Sequence, residues 1–262
     1  MDNCLICNAE LKPIFNTKVL NKYDVQYFVC PTCGLIQTEK PYWIEEAYKS
    51  SINDTDLGLL QRNLNLAKIS KKIINFAFNK KGKFLDFAAG YGLFVRLMRD
   101  YGYDFYWQDL YTENIFAKGF EYDDGKIDLI TTFESFEHFV NPIDEIEKLL
   151  KISKNILFST EIIPQPIPNP NNWWYYAPDH GQHICFYSKK TFNYIAKKYG
   201  INYYTNGKNI HLLTEKKISI LWLKIYFFHN KIKNYCSKTS DFIQRDQEYI
   251  LLKKENDTDL FR

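Results

Sequence analysis

The chain has 262 residues, 45% of them hydrophobic and 25% charged, an ordinary balance for a globular protein that buries its own core. Its net charge of +3 is too weak to imply nucleic acid by itself. No apolar run approaches the ~18–20 residues of a membrane span, and Met1-Asp2-Asn3-Cys4 lacks the basic and apolar regions of a secretory signal, so a cytoplasmic protein is expected.

Four of the six cysteines stand at the front, Cys4, Cys7, Cys30 and Cys33, as two C-x2-C pairs with 22 residues between them. Each pair suits a tight knuckle that aims two thiolates at one tetrahedral Zn2+. Pro31 and Gly34 fit such a turn, and residues 25–29 (VQYFV) read as a strand feeding it. Two disulfides or four unrelated thiols are the alternatives, and a reducing compartment disfavours the first. Four protein ligands would close the coordination shell, so this zinc is expected to be structural. Cys185 and Cys236 read as ordinary thiols.

Residues 39–51 read as a connector. Asp54 or Thr55 can cap a helix running to about Asn79, with Leu59, Leu60, Leu64, Ala67, Ile73 and Ile74 at helical spacing. Strands are expected at 83–87, 103–107, 126–132 and 155–159, with a helix starting at Leu93 and another after the third strand. This alternation predicts an α/β fold with a doubly wound, mostly parallel sheet, whose ligand sits beyond the carboxyl ends of the strands.

The turn after the first of these strands holds Gly90 and Gly92, but Val95 stands where a dinucleotide fingerprint has its third glycine. Asp86, near the end of that strand, would repel a pyrophosphate. It would attract a ligand carrying an ammonium and a sulfonium, which S-adenosylmethionine offers. Asp109 lies 19 residues beyond Gly90 at the tip of the next strand, where an acidic side chain accepts hydrogen bonds from ribose hydroxyls. The bland alternative is a tight glycine turn with Asp109 capping a helix.

At these residues the sequence resembles class I S-adenosylmethionine-dependent methyltransferases. FLDFAAGYG (84–92) resembles their first motif, with Ala88 in place of the usual first glycine, and Trp107-Gln108-Asp109 the second. IDLITTFESFEHF (127–139), followed by Asn141-Pro142, resembles the fourth strand and its "EH" tail. The resemblance implies a Rossmann-like methyltransferase sheet and a cofactor site at Asp86, Ala88, Gly90, Gly92, Asp109, Leu110 and Phe133. The cysteine ribbon, joined to WWYY (173–176) and PDHGQHICFYSKKTF (178–192), is similar to methyltransferases of sugar and surface-polysaccharide (capsule) pathways. Sugar C-methyltransferases carry a further C-terminal domain for which the stretch after Lys208 is too short, so O-methylation of a nucleotide-activated sugar or other surface-glycan precursor is expected. Methylation of a phosphate or phosphoramidate substituent is an alternative acceptor reading. An RNA methyltransferase or nucleic-acid-binding module gripping through the ribbon is another, disfavoured by the lack of a dense Lys/Arg patch there.

Pro164, Pro166, Pro168 and Pro170 hold a loop extended after the fifth strand. That loop is expected to bring His183 and His180 to the transferred methyl, with His138 a third candidate base; a neutral imidazole suits removal of a hydroxyl proton. Glu161 and Asp179 are candidates for orienting an imidazole or binding acceptor hydroxyls, and Trp174 and Tyr176 for the wall of a sugar site. The competing readings are a core histidine at 183, a metal held by His180, His183 and Cys185, and simple packing for the aromatic run. His211 and His229 read as structural or surface residues. Residues 188–199 read as a helix, and Tyr203-Tyr204 as the start of a strand. Residues 216–238, apolar and lysine-bearing, read as a helix that packs on this domain or another subunit, a homodimer then, or lies at a membrane surface. The expected division is a zinc ribbon at 1–45, a methyltransferase domain at 46–212 and a helical extension at 213–262.

Overall fold

The computed structural model describes residues 3–48 and 58–219. Two sheets share the molecule. The first begins with a hairpin, β1 (Lys12–Val19) and β2 (Tyr23–Val29), whose turn puts Leu20 and Asn21 both at positive φ, the twist that matches two antiparallel strands. β3 (Ile36–Thr38) pairs with β2, and a short helix α1 (Ile44–Ala47) lies within the expected connector. The fourth strand of this sheet, β8 (Cys185–Phe186), comes from far down the chain and pairs antiparallel with β3.

The second sheet has the order β5-β4-β6-β7-β10-β9. β4 (Lys83–Phe87), β5 (Asp104–Gln108), β6 (Leu129–Phe133) and β7 (Ile156–Ser159) run parallel. β10 (Ile210–Thr214) inserts antiparallel between β7 and β9 (Asn202–Thr205). This is the mixed, mostly parallel, Rossmann-like sheet that the alternation predicts. β10 was not foreseen: it is five residues long, and its second residue, His211, reads as polar yet is 1% exposed. Its Nε2 meets the Thr160 carbonyl and its Nδ1 the Tyr203 hydroxyl, so His211 is a core residue. The strand also carries the sheet across the expected boundary at 212.

Side-chain alternation along the strands divides the core. Phe84, Phe105, Leu129 and Leu157 pack with α2 (Leu59–Ala77) and α3 (Leu93–Asp100). Leu85, Ile130, Ile156 and Phe158 pack with α4 (Pro142–Ile152) and α5 (Lys189–Tyr199). Local signals set the helix ends: Pro142 opens α4, Ser188 and Thr191 form a capping box on α5, and Gly200 closes α5 at φ 64. The same cluster as α4 and α5 includes Tyr27, Cys33, Trp43 and Phe186, so the cysteine segment shares the core of the parallel sheet. Full burial of such side chains contributes roughly 1.5–3 kcal/mol each.

Between β5 and β6, residues 109–128 cross over without a helix, a departure from the expected alternation. The expected caps Asp54 and Thr55, the tail beyond Ser219, His229 and Cys236 lie outside the described residues. Residues 215–219 are not helical; Lys216 Nζ donates to the Ala77 carbonyl. No helix among the described residues is long and apolar enough to cross a membrane.

Candidate active site

The loop after β4 is built for a close-fitting ligand. Ala88, Gly90 and Gly92 take φ of 57, 53 and 85, which bends the chain over the strand end and starts α3. Gly92 cannot be replaced cheaply: a Cβ there would stand 2.9 Å from Asn114 Oδ1 and 3.2 Å from the Ala117 backbone nitrogen. Gly90 faces open space, and its carbonyl accepts from Trp107 Nε1 at 2.7 Å.

Asp86 is 4% exposed and accepts one hydrogen bond, from Thr131 Oγ1 at 2.6 Å. Burial pushes its carboxyl up to about 8, and Asp109 nearby adds to the shift. A cation at this point would restore the charged form. Asp109 braces the loop: Gly90 N donates to its Oδ2 at 2.9 Å, and Tyr111 N and Thr112 N donate to its Oδ1. An ionised carboxylate has about four acceptor positions, so one remains for a ligand hydroxyl. Beside it at the end of β5, Gln108 Oε1 is buried with no hydrogen-bond partner. An orphaned acceptor next to a carboxylate fits the paired hydroxyls of a ribose, and sequence reasoning missed it. Leu110 is 79% exposed directly after Asp109, and Phe133 packs edge-on against Phe94 of α3 at 5.0 Å.

Past the ends of β6 and β7 the structure gathers titratable groups. Glu134 takes φ 51 and is bound by Ser159, whose Oγ accepts from its backbone N–H and donates to its carboxylate. Burial, with Glu137 nearby, raises its carboxyl to about 7. A 3-10 turn at Phe136–His138 follows. Glu137 is fully buried, and neither carboxylate oxygen has a hydrogen-bond partner. Burial raises it to about 7; the hydroxyls of Tyr175 and Thr160, close by but outside hydrogen-bonding geometry, oppose that rise.

His138 and His183 meet edge to face, ring centroids 4.9 Å apart, and their nitrogens lie within 4.8 Å of the Glu137 carboxylate. His183 Nδ1 is 2.7 Å from the Tyr175 carbonyl, which can only accept, so Nδ1 carries the proton and Nε2 the free lone pair. Burial lowers the pKa of both rings, which keeps them neutral at pH 7. His138 Nδ1 lies 2.9 Å from the Tyr48 hydroxyl and 3.2 Å from the Gln182 carbonyl.

Several expectations change here. His180 and Asp179 are exposed on the turn before Gly181, and His180 is not part of the buried pair. Cys185 turns its sulfur to the Phe139 carbonyl, so a site made of His180, His183 and Cys185 is not assembled. Tyr176 is 0% exposed among Phe15, Tyr27, Trp173 and Phe186, with its hydroxyl on the Pro168 carbonyl; a substrate cannot reach it. Trp174 is 73% exposed. Glu161 is half-buried and close enough to Glu134 to feel its charge. Glu134, Glu137, Tyr48 and Gln108 were not singled out; the signal for the first two was two carboxylates three residues apart at a strand's end.

In the N-terminal module, Cys4 Sγ lies 3.5 Å from Cys33 Sγ, and Cys7 Sγ 3.3 Å from Cys30 Sγ. These are too long for disulfides. All four sulfurs lie within 4.8 Å of one another, near the ~3.8 Å edge of a tetrahedron with ~2.3 Å metal–sulfur bonds. Gly34 at φ 76 closes the second knuckle, with its N–H on the Cys30 carbonyl. The donor set therefore fits a tetrahedral thiophilic ion.

A family model described as "Methyltransferase domain" matches residues 60–206. The chain belongs to this methyltransferase family, and it is an enzyme. Among solved structures, an O-methyltransferase family protein from Burkholderia thailandensis is similar at 11% identity over 68% of each chain, with a TM-score of 0.48. The plantazolicin methyltransferase BpumL, solved with SAH, is similar at 14% identity over 68% of this chain and 95% of its own, TM-score 0.45. WbdD is similar at 16% identity over 70% of this chain and 44% of its own, TM-score 0.41. No curated protein sequence matches the chain. The family assignment rests on the domain match.

Proposed function

We propose that this enzyme methylates a hydroxyl of a small sugar-type acceptor, such as a nucleotide-activated sugar or another surface-glycan precursor. The observation that carries the reading is the neutral His183 ring, its Nδ1–H fixed on the Tyr175 carbonyl and its Nε2 left as a base beyond the ends of β6 and β7.

When bound, S-adenosylmethionine supplies a methyl group already activated by its sulfonium. Asp86 would hold the ammonium end, and the Gly90–Gly92 turn would allow close backbone approach. Asp109 and Gln108 Oε1 would accept from the ribose hydroxyls. Phe133 and Leu110 would border the donor. His183 would take the acceptor's hydroxyl proton on Nε2 as the new oxygen–carbon bond forms and the methyl carbon–sulfur bond breaks, its electron pair leaving with the thioether product; His138 would stand beside it. A positioned base of this kind contributes ~10²–10⁴-fold, and orientation by the surrounding groups supplies much of the remainder. Glu161 and the exposed Trp174 would meet the acceptor. The four cysteines would hold one structural Zn2+, whose chemistry here is to fix the fold of a segment too small to fold on its own core.

The test has two stages. Calorimetry with S-adenosylhomocysteine should show binding to the zinc-loaded protein that Asp86→Asn and Asp109→Ala weaken. Labelled methyl transfer to a panel of sugar nucleotides should then fall with His183→Ala. Transfer to RNA but to no sugar would overturn the acceptor reading.

A further inference from the structure

The segment 178–186, which carries His183, is tied along its length to the cysteine module. Leu20 N donates to the Pro178 carbonyl at 2.9 Å, and Trp43 Nε1 to the Gly181 carbonyl at 2.8 Å. Gln182 Nε2 donates to the Ala47 carbonyl at 2.8 Å, and Thr38 N to the Ile184 carbonyl at 3.0 Å. Cys185 and Phe186 then join the module's sheet as β8. On the opposite side, Ile184 N donates to the carbonyl of Glu137.

His183 thus sits between neighbours pinned to the module on one side and to the Glu137–His138 turn on the other. Tyr48, which ends α1 just after the module, also reaches the partner ring directly, at His138 Nδ1. Gly181 shows how close the approach is: at φ 66, a Cβ there would stand 2.8 Å from Val19 Cγ1 and 3.2 Å from both Leu20 Cγ and Trp43 Cδ1.

We infer that the N-terminal cysteine module is a positioning element of the acceptor site, with Trp43 and Gln182 setting the backbone that aims His183. The inference rests on the methyltransferase reading above but makes a claim that can fail separately. Trp43 and Gln182 act through the histidine, and neither is a catalytic residue.

The experiment uses the full, zinc-loaded chain and two variants, Trp43→Phe, which keeps an aromatic ring and removes the N–H, and Gln182→Met, which keeps length and removes the amide. Three quantities are read: amide hydrogen exchange of residues 178–186, the ring-nitrogen shifts of His183 and His138, and calorimetric binding of S-adenosylhomocysteine. Exchange should rise up to about tenfold, the size of one buried hydrogen bond. The His183 ring should change from a single Nδ1–H tautomer to a mixture, and donor affinity should stay within about threefold. Unchanged exchange and ring signals in Gln182→Met would overturn the inference, whether or not Trp43→Phe folds. So would a loss of donor affinity parallel to the change in exchange, which would mark a general loss of structure. Absence of donor binding by the unsubstituted protein would instead end the methyltransferase reading.

Discussion

Glu137 is a carboxyl enclosed without a hydrogen-bond partner, and its replacement by glutamine has a calculable consequence. Burial raises its pKa from 4.5 to about 7. Its folded-state pKa therefore lies above the unfolded one, so its favourable contribution is full below about pH 4.5 and is lost as pH rises through about 7. At ~1.36 kcal/mol per pH unit, the loss is about 3 kcal/mol between pH 4.5 and 8. Glu137→Gln removes this titration. The variant's melting temperature, followed by circular dichroism from pH 5 to 8, should gain on the unsubstituted protein as pH rises. The gain should reach roughly 6–12 °C by pH 8, at ~2–4 °C per kcal/mol for a domain of this size. The amide must also be buried, at about 1–3 kcal/mol, but that cost is the same at every pH. The slope of the difference decides, and two parallel pH profiles would refute the electrostatic account of Glu137.

Gly92→Ala should lower affinity for S-adenosylhomocysteine about a hundredfold by calorimetry, because the new Cβ meets Asn114 and Ala117 in a left-handed backbone; wild-type affinity would show that the loop gives way. Cys30→Ser should release the metal, seen by a chromogenic chelator, and lower the melting temperature; a protein that contains no zinc when purified without chelator would remove the basis for this. With an acceptor identified, His183→Ala should lower kcat by ~10²–10⁴, and His180→Ala, an exposed site, should leave it within about twofold; the reverse order would move the base to residue 180. Because burial lowers the His183 pKa, its neutral form persists below the ordinary ~6.5, so the acid limb of kcat/KM should lie below pH 6.5; a limb above that value would exclude His183 as the base.

Some of this was legible in the sequence because the chemistry fixes the spacing. Two short cysteine pairs predict two knuckles, and the four sulfurs do lie together; the run from Asp86 to Gly92 predicts the strand, turn and helix start found there. Other parts were hidden for equally physical reasons. Tyr175 and Tyr176 are neighbours in an aromatic run without period, yet a 3-10 turn at Trp174–Tyr176 sends one to His183 and the other into the N-terminal sheet. The ring at 176 was therefore misplaced as a substrate contact. Glu137 was visible only as a letter of a motif, since its isolation depends on what surrounds it in three dimensions. β8 is two residues long, and a strand so short has no pattern of its own; only its partner β3 makes it one.

That last pairing bears on how the protein is made. Ile36 pairs with Phe186, 150 positions later in the chain (186 minus 36). At a synthesis rate of ~5–20 residues per second, the cysteine knuckles leave the ribosome roughly 8–30 seconds before the strand that completes their sheet. Until then β3 has no partner on that edge, and the cysteine module lacks its fourth strand. The N-terminal sheet is therefore completed by residues made long after its first three strands. The segment that carries His183 reaches its pairing with β3 only after residue 186 has been made.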